Sequence, residues 1–153
     1  MSSLVYFVIY VIIWLADGIC QPGWKEHRDK CYGISTETMH WPACQTYCSD
    51  RSAHMLCVRD SDQNEFIQNV SPTNAWLGYN DRNEEGTWVW QTGCSSNFTK
   101  WFPNEPNNYN DDQDCGRLIK NGGSWDDCGC TSCTGKQRCM CEKGTVQSLI
   151  IFT

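Results

Sequence analysis

Residues 101–115 read Trp101-Phe102-Pro103-Asn104-Glu105-Pro106-Asn107-Asn108-Tyr109-Asn110-Asp111-Asp112-Gln113-Asp114-Cys115, and ten residues further on comes Trp125-Asp126-Asp127. The first stretch closes a longer run, Gly93 to Asp114, that is rich in Asn, Asp, Pro and Ser. An irregular segment of about twenty residues inside a compact domain is usually either functional or disordered. Trp101, Phe102 and the nearby cysteines predict an ordered, functional loop. Its side chains are mostly oxygen donors, as are Asp81, Glu84 and Glu85 before it. Calcium is a hard ion that takes about 6–8 oxygen ligands. Asp and Asn are equally common as solvated turn formers, so composition alone does not decide between the two.

Working outward, two segments predict helices. Trp41 to Arg51 carries Cys44, Tyr47 and Cys48 at helical spacing, and Ser61 to Val70 opens on a cap-like Ser61. Strands are predicted at 30–34, 55–58, 75–79, 87–91, 117–119 and 139–142. No linker or repeat interrupts residues 20–144, which read as one domain of α+β class. The twelve residues Leu4–Leu15 form an unbroken apolar run followed by Ala16-Asp17-Gly18. That pattern predicts a signal peptide over residues 1–18, although no Lys or Arg precedes the run. A membrane span needs about 20 apolar residues, which the run does not reach. Residues 145–153 form a short tail with no assigned function.

The chain has 153 residues, among them 12 cysteines, with 12 Lys and Arg against 18 Asp and Glu for a net charge of −6. This cysteine content points to a disulfide-stapled secreted domain rather than a cytosolic one. The acidic balance argues against nucleic acid or an anionic membrane as partner, since both are held by clustered Lys and Arg.

Taken in order, Trp24, Cys31-Tyr32, Trp41, Cys48, Ala53-His54-Met55, Trp76-Leu77-Gly78-Tyr79, Gly86-Thr87-Trp88-Val89-Trp90, Trp101, Glu105-Pro106-Asn107, Asp114-Cys115, Trp125-Asp126-Asp127 and Cys141-Glu142 resemble the C-type lectin domain. The resemblance runs nearly end to end through residues 20–144. It implies a fold of two helices flanking antiparallel sheets, with a long calcium-binding loop region. Most of the tryptophans are then expected in the core or in loop packing, because large aromatics dominate small cores. His54 is expected as a packed turn residue.

The resemblance implies disulfides Cys48–Cys141, Cys115–Cys130 and Cys20–Cys31. Six cysteines remain: Cys44, Cys57, Cys94, Cys128, Cys133 and Cys139. Cys44 with Cys57 is the candidate fourth bridge, Cys133 is a rival partner for Cys115, and an unpaired cysteine would be available for an intermolecular link. The cluster Cys128, Cys130, Cys133, Cys139 and Cys141 also has thiolate spacing for zinc, a reading that secretion disfavours.

On the family pattern the principal calcium site is Glu105, Asn107, Gln113, Asp126 and Asp127, with a cis peptide bond expected before Pro106. Gln113 stands where the family usually has Glu, and Asp126 where it usually has Asn, so the exchange leaves the charge of the set unchanged. An auxiliary calcium is matched by Asp81, Glu85, Asn108 and Asp114. The resemblance implies that two vicinal hydroxyls of a terminal sugar complete the principal ion's shell while bonding to Glu105, Asn107, Gln113 and Asp126. Glu105 with Asn107 favours mannose or fucose. Tyr109, a candidate stacking residue, and the reversed second pair keep galactose in view.

The partners expected are therefore glycans, with no nucleic acid and no membrane span. Weak single sites would act through multivalency, with a homo-oligomer open. An enzyme is disfavoured because the paired carboxylates are committed to calcium and His27, His40 and His54 pair with no nucleophile. The competing reading is a module of the same fold that binds protein or another surface, with calcium structural or absent. Asn97-Phe98-Thr99 and Asn69-Val70-Ser71 are glycosylation sequons.

Overall fold

The computed structural model describes residues 13–15, 20–135, 137–145 and 149–151. Most of the leader and part of the tail fall outside these. Ile13–Leu15 (β1) pairs antiparallel with Leu149–Ile151 (β10) in a two-stranded sheet. The remaining described strands join one sheet.

That sheet runs β2 (Lys25–His27), β3 (Lys30–Met39), β9 (Gln137–Gly144), β5 (Ala75–Asn80), β7 (Cys115–Leu118) and β8 (Trp125–Cys128). Two short strands lie off this path: β4 (His54–Met55) pairs with β9 and β6 (Val89–Trp90) with β5. Among the described strand pairings of this sheet the β5–β9 contact is parallel and the others are antiparallel. Helices α1 (Trp41–Ser49) and α2 (Ser61–Val70) complete the expected α+β architecture.

Helix α2 starts one residue earlier than its cap-like serine suggested. Asp60 is the N-cap, its carboxylate accepting from the Gln63 N–H at 2.8 Å, and Ser61 is the first helical residue. Helix α1 has Pro42 in its first turn, where the missing N–H costs nothing. It ends at Ser49, two residues short of the predicted boundary. The segment predicted as a strand at 55–58 is strand only at Met55. Beyond it the Leu56 N–H still donates to Met140 and the Leu56 carbonyl accepts from Gly78, so the segment remains tied between strands.

Trp41, Trp76, Trp90 and Trp125 are buried, while Trp24 and Trp88 are half-buried. Each buried indole N–H finds an acceptor: Leu77 O at 2.8 Å, Met39 O at 2.8 Å, Ser96 O at 3.1 Å and Asn64 Oδ1 at 2.7 Å respectively. Such pairing removes the cost of burying a lone donor. His54, contrary to expectation, is exposed on β4, because alternation along that strand turns Met55 inward instead.

The three bridges implied by resemblance are present: Cys20–Cys31, Cys48–Cys141 and Cys115–Cys130. The candidate Cys44–Cys57 bridge is not. Cys44 pairs with Cys139 and Cys57 with Cys94. Residues 44 and 48 lie one turn apart on α1 and face residues 139 and 141, which alternate on β9, so both helix cysteines reach the same strand. Cys133 pairs with Cys128 rather than competing for Cys115. No free cysteine exists among the described residues, which removes both the zinc knuckle and the spare thiol for an intermolecular link.

Candidate functional site

The loop that ends at β7 folds against the start of β8. Four of its residues, Asn104, Asn108, Asn110 and Asp111, have positive φ between 44° and 71°. Asn and Asp tolerate that left-handed region better than other side chains, which accounts for the composition of the stretch. The Glu105–Pro106 bond is cis, as the resemblance implied.

Asp127 is the buried post on which the loop is hung. Its carboxylate accepts from the Asn107 N–H at 3.1 and 3.2 Å and from the Asn108 N–H at 2.7 Å. Glu105, Asp126 and Asp127 bring carboxylate oxygens within 4.8 Å of one another. Asn107 Nδ2 donates to Glu105 Oε1 at 2.8 Å, whereas Glu105 Oε2 is buried with no partner. Burial first, then contact with the Asp127 carboxyl and the charges of Asp126 and Asp127, pushes Glu105 up to about 7. Three converging acids around an unpartnered oxygen are a candidate set of hard oxygen ligands for a cation. The other converging trio among the described residues, Cys44, Cys48 and Cys139, consists of disulfide sulfurs and offers no thiolate.

Gln113 is placed differently from the remaining members of the principal set. Its Oε1 accepts from the Tyr109 N–H at 2.6 Å and its Nε2 donates to the Asp127 carbonyl at 3.1 Å, so both polar atoms bind loop backbone. Asp126 holds a partner that sequence reading missed. Arg117, opposite it across the β7–β8 ladder, donates through Nε at 3.0 Å and Nη2 at 2.6 Å to Asp126 Oδ2. The trio therefore carries a built-in countercharge. The only signal in sequence was the hairpin register that sets residue 117 against 126.

The auxiliary residues are neighbours but do not form a second converging carboxylate trio among the described residues. Asp81 is buried, its Oδ2 accepting from the Gly86 N–H at 2.9 Å and its Oδ1 unpartnered. Desolvation, followed by the charges of Asp114 and Asp127, holds it above the usual carboxylate range. Glu85 is raised as well, by desolvation and then by Asp81 and Asp114. Asn108 Oδ1 accepts from the Gln113 N–H at 3.0 Å. Tyr109 is the most exposed large hydrophobic side chain described, at 69%, and stacks on no other ring among the described residues. Its backbone is nevertheless pinned, the N–H donating to both Asn107 Oδ1 and Gln113 Oε1.

The family model described as Lectin C-type domain matches residues 37–143. The chain belongs to the C-type lectin domain family. It is 34% identical over 127 residues to human (Homo sapiens) C-type lectin domain family 17, member A, covering 80% of this chain and 33% of that protein. It is also 34% identical over 137 residues to lectin BRA-3 of Megabalanus rosa, covering 84% of this chain and 83% of that one. Among solved structures, the mouse scavenger receptor C-type lectin carbohydrate-recognition domain superposes with a TM-score of 0.74 at 28% identity, over 83% of this chain and 99% of that one. The chain thus spans about a third of the human relative and most of the Megabalanus lectin. The matches are to a family of non-catalytic domains that includes carbohydrate-recognition domains, which supports a carbohydrate-binding lectin domain and no enzymatic role. No described helix is long and apolar enough to cross a membrane.

Proposed function

We propose that the protein is a secreted, calcium-dependent lectin that recognises terminal monosaccharide units, mannose or fucose ahead of galactose. One observation carries the reading: the convergence of Glu105, Asp126 and Asp127 around a buried Glu105 oxygen that no protein donor satisfies. Arg117 compensates Asp126 alone, so Glu105 and the buried Asp127 converge without a counter-ion, a cost that a divalent cation offsets. Calcium supplies a hard centre with more coordination places than the protein fills, and vicinal sugar hydroxyls suit the remaining places.

Glu105, Asn107, Asp126 and Asp127 would hold the principal ion, joined by Gln113 once its Oε1 leaves the Tyr109 N–H. Asp81, Glu85, Asn108 and Asp114 would hold the auxiliary one. Each sugar hydroxyl both donates and accepts. Glu105 and Asp126 accept hydroxyl protons, and the amides of Asn107 and Gln113 donate. The Asn107–Glu105 hydrogen bond keeps one such acceptor–donor pair in register, which supports the mannose-type preference. The exposed ring of Tyr109 offers an apolar face for stacking and keeps galactose as the second choice.

A second reading is a module of the same fold that binds protein or another surface with calcium structural or absent. It is favoured by Arg117 and Gln113, which already engage Asp126 and the loop backbone without any ion. Column retention separates the two. The lectin reading expects calcium-dependent retention on immobilised mannose or galactose and release by a chelator. Retention that survives chelation overturns the coordination mechanism.

A further inference from the structure

The two glycosylation sequons, Asn97-Phe98-Thr99 and Asn69-Val70-Ser71, meet different fates in the fold. The first lies in the segment between β6 and β7. From Ser96 to Lys100 exposure alternates: Ser96, Phe98 and Lys100 are half-buried, whereas Asn97 and Thr99 are exposed. Anchors on the inward residues set that alternation. The Ser96 carbonyl accepts from the Trp90 indole N–H at 3.1 Å, and the Ser96 hydroxyl donates to the Val58 carbonyl at 2.7 Å. The same hydroxyl oxygen accepts from the Phe98 N–H at 3.1 Å, while the Phe98 ring meets Trp125 edge-on at 5.7 Å between centroids. At the far end the Lys100 carbonyl accepts from the Trp125 N–H at 2.7 Å. None of these anchors uses the Asn97 amide or the Thr99 hydroxyl. Residues two apart in extended chain share a face, so the acceptor amide and the hydroxyl that defines the sequon stand out together.

We propose that Asn97, and not Asn69, is N-glycosylated, and that the first N-acetylglucosamine of its glycan lies over the Cys57–Cys94 disulfide. The inference rests on the reading of the chain as secreted, since this modification belongs to secreted proteins. It is independent of what the calcium loop binds.

Asn69 is excluded by its place in the fold. It lies in the last turn of α2, where residues two apart do not face each other. Accordingly Asn69 is exposed while Ser71 is buried, its hydroxyl donating to the Thr73 carbonyl at 2.7 Å. Pro72 follows directly and confines Ser71 to extended backbone, at φ −73° and ψ 128°. The sequon hydroxyl is thus turned away from its asparagine.

Beside Asn97 opens a hollow of about 470 Å³, lined by Arg59, Gly93, Cys94, Ser95, Ser96 and Asn97 itself. A sugar linked to the Asn97 amide therefore starts within this wall. Cys94 is half-buried there, and its partner Cys57 is buried behind it. Arg59 is pinned by the Glu142 carboxylate at 2.6 and 3.0 Å and by the Cys57 carbonyl at 2.8 Å, so that side of the hollow is fixed. Serine hydroxyls and a guanidinium suit the hydroxyl and acetamido groups of the sugar. None of the lining residues belongs to either candidate calcium set, so the glycan and that site do not compete for one surface.

Expression of the full chain in human cells, with medium and lysate both collected, tests the proposal. Peptide mapping after peptide N-glycosidase treatment in heavy-oxygen water should find labelled aspartate at position 97 and unlabelled asparagine at position 69. Asn97→Gln and Thr99→Ala should each abolish the glycosidase-sensitive mobility shift, and Thr99→Ser should keep it. Access is one of the factors that set thiol–disulfide exchange rates, so dithiothreitol should open Cys57–Cys94 about threefold more slowly in the glycosylated protein than in Asn97→Gln. Exported protein with a bare Asn97, or with glycan on Asn69, overturns the assignment. Equal reduction rates overturn the seating over the disulfide. Protein confined to the cytosol overturns the secretion reading and the glycan with it.

Discussion

Asp127 is the residue at which structure and function are hardest to separate, and a pair of substitutions separates them. Asp127→Ala deletes the acceptor for two backbone N–H groups, those of Asn107 and Asn108. Hydrogen bonds to a charged group contribute about 1.5–3 kcal/mol each. Water can reach the exposed Asn107 in part, and relief of repulsion from Glu105 and Asp126 offsets more. The net loss is then about 2 kcal/mol, or a fall in Tm of about 6–10 °C for a domain of this size. Asp127→Asn keeps an oxygen facing the same donors and loses only the charge, so its calcium-free Tm should stay within about 3 °C of wild type. Calcium at a hundredfold excess over Kd should stabilise the wild type by about 2.7 kcal/mol and neither variant comparably. Scanning calorimetry of the three proteins with and without calcium reads these shifts, and retention on mannose or galactose resin reads function. If Asp127→Asn keeps the full calcium-induced rise in Tm and wild-type retention, Asp127 is a structural post only and the coordination argument fails.

Glu105 sets the pH dependence. Its carboxyl, raised to about 7 in the folded protein, binds protons more tightly than in the unfolded chain, so this group stabilises the calcium-free fold below its unfolded pKa. That contribution is lost as pH rises through 7. Calcium must displace the same proton, so affinity should fall between pH 8 and 6 with uptake of the ion releasing protons; titration in two buffers of different ionisation enthalpy measures this, and pH-independent affinity refutes it. Arg117→Met should expose the Asp126 charge, lowering the calcium-free Tm by a few degrees while tightening calcium severalfold; weaker calcium binding would show instead that Arg117 holds Asp126 in place. Tyr109→Ala should leave calcium affinity unchanged and alter the ratio of mannose to galactose retention on paired columns; loss of calcium binding would place Tyr109 in the loop's framework.

The fold was legible because it is written in large side chains and short-range pattern. The ordered tryptophans, the helical spacing of Cys44, Tyr47 and Cys48 and the cap-like start of the second helix survive being read in one dimension. Three disulfides were not legible, since the partner of a cysteine depends on which elements lie against each other. Cys44–Cys139 is the instructive case: a one-turn spacing on α1 facing a two-residue spacing on β9 gives two parallel bridges. That rule was available, but applying it requires knowing that α1 packs on β9. Candidate oxygen donors were likewise legible as residue types in order. Their partners were not, because Arg117 meets Asp126 only through strand register and Gln113 turns to the Tyr109 N–H only through the left-handed backbone of the loop.

Those missed partners change the electrostatic argument for the site. Read from sequence, the exchange of Glu for Gln at 113 and Asn for Asp at 126 conserves charge and leaves an uncompensated acidic trio. In the fold, the added carboxylate at 126 is met by Arg117, and the amide at 113 spends its oxygen on the loop, so the charge has moved to where a cation already sits. Repulsion at the site therefore falls mainly on Glu105 and Asp127, and burial first, then contact with Asp127, pushes Glu105 toward neutrality. A monovalent ion bound there would gain about half the Coulomb energy of a divalent one at equal distance, against a comparable cost of freeing Glu105 from its proton. The geometry thus favours a doubly charged ion. Discrimination in favour of calcium over sodium should weaken at low pH, where the proton itself neutralises the pair.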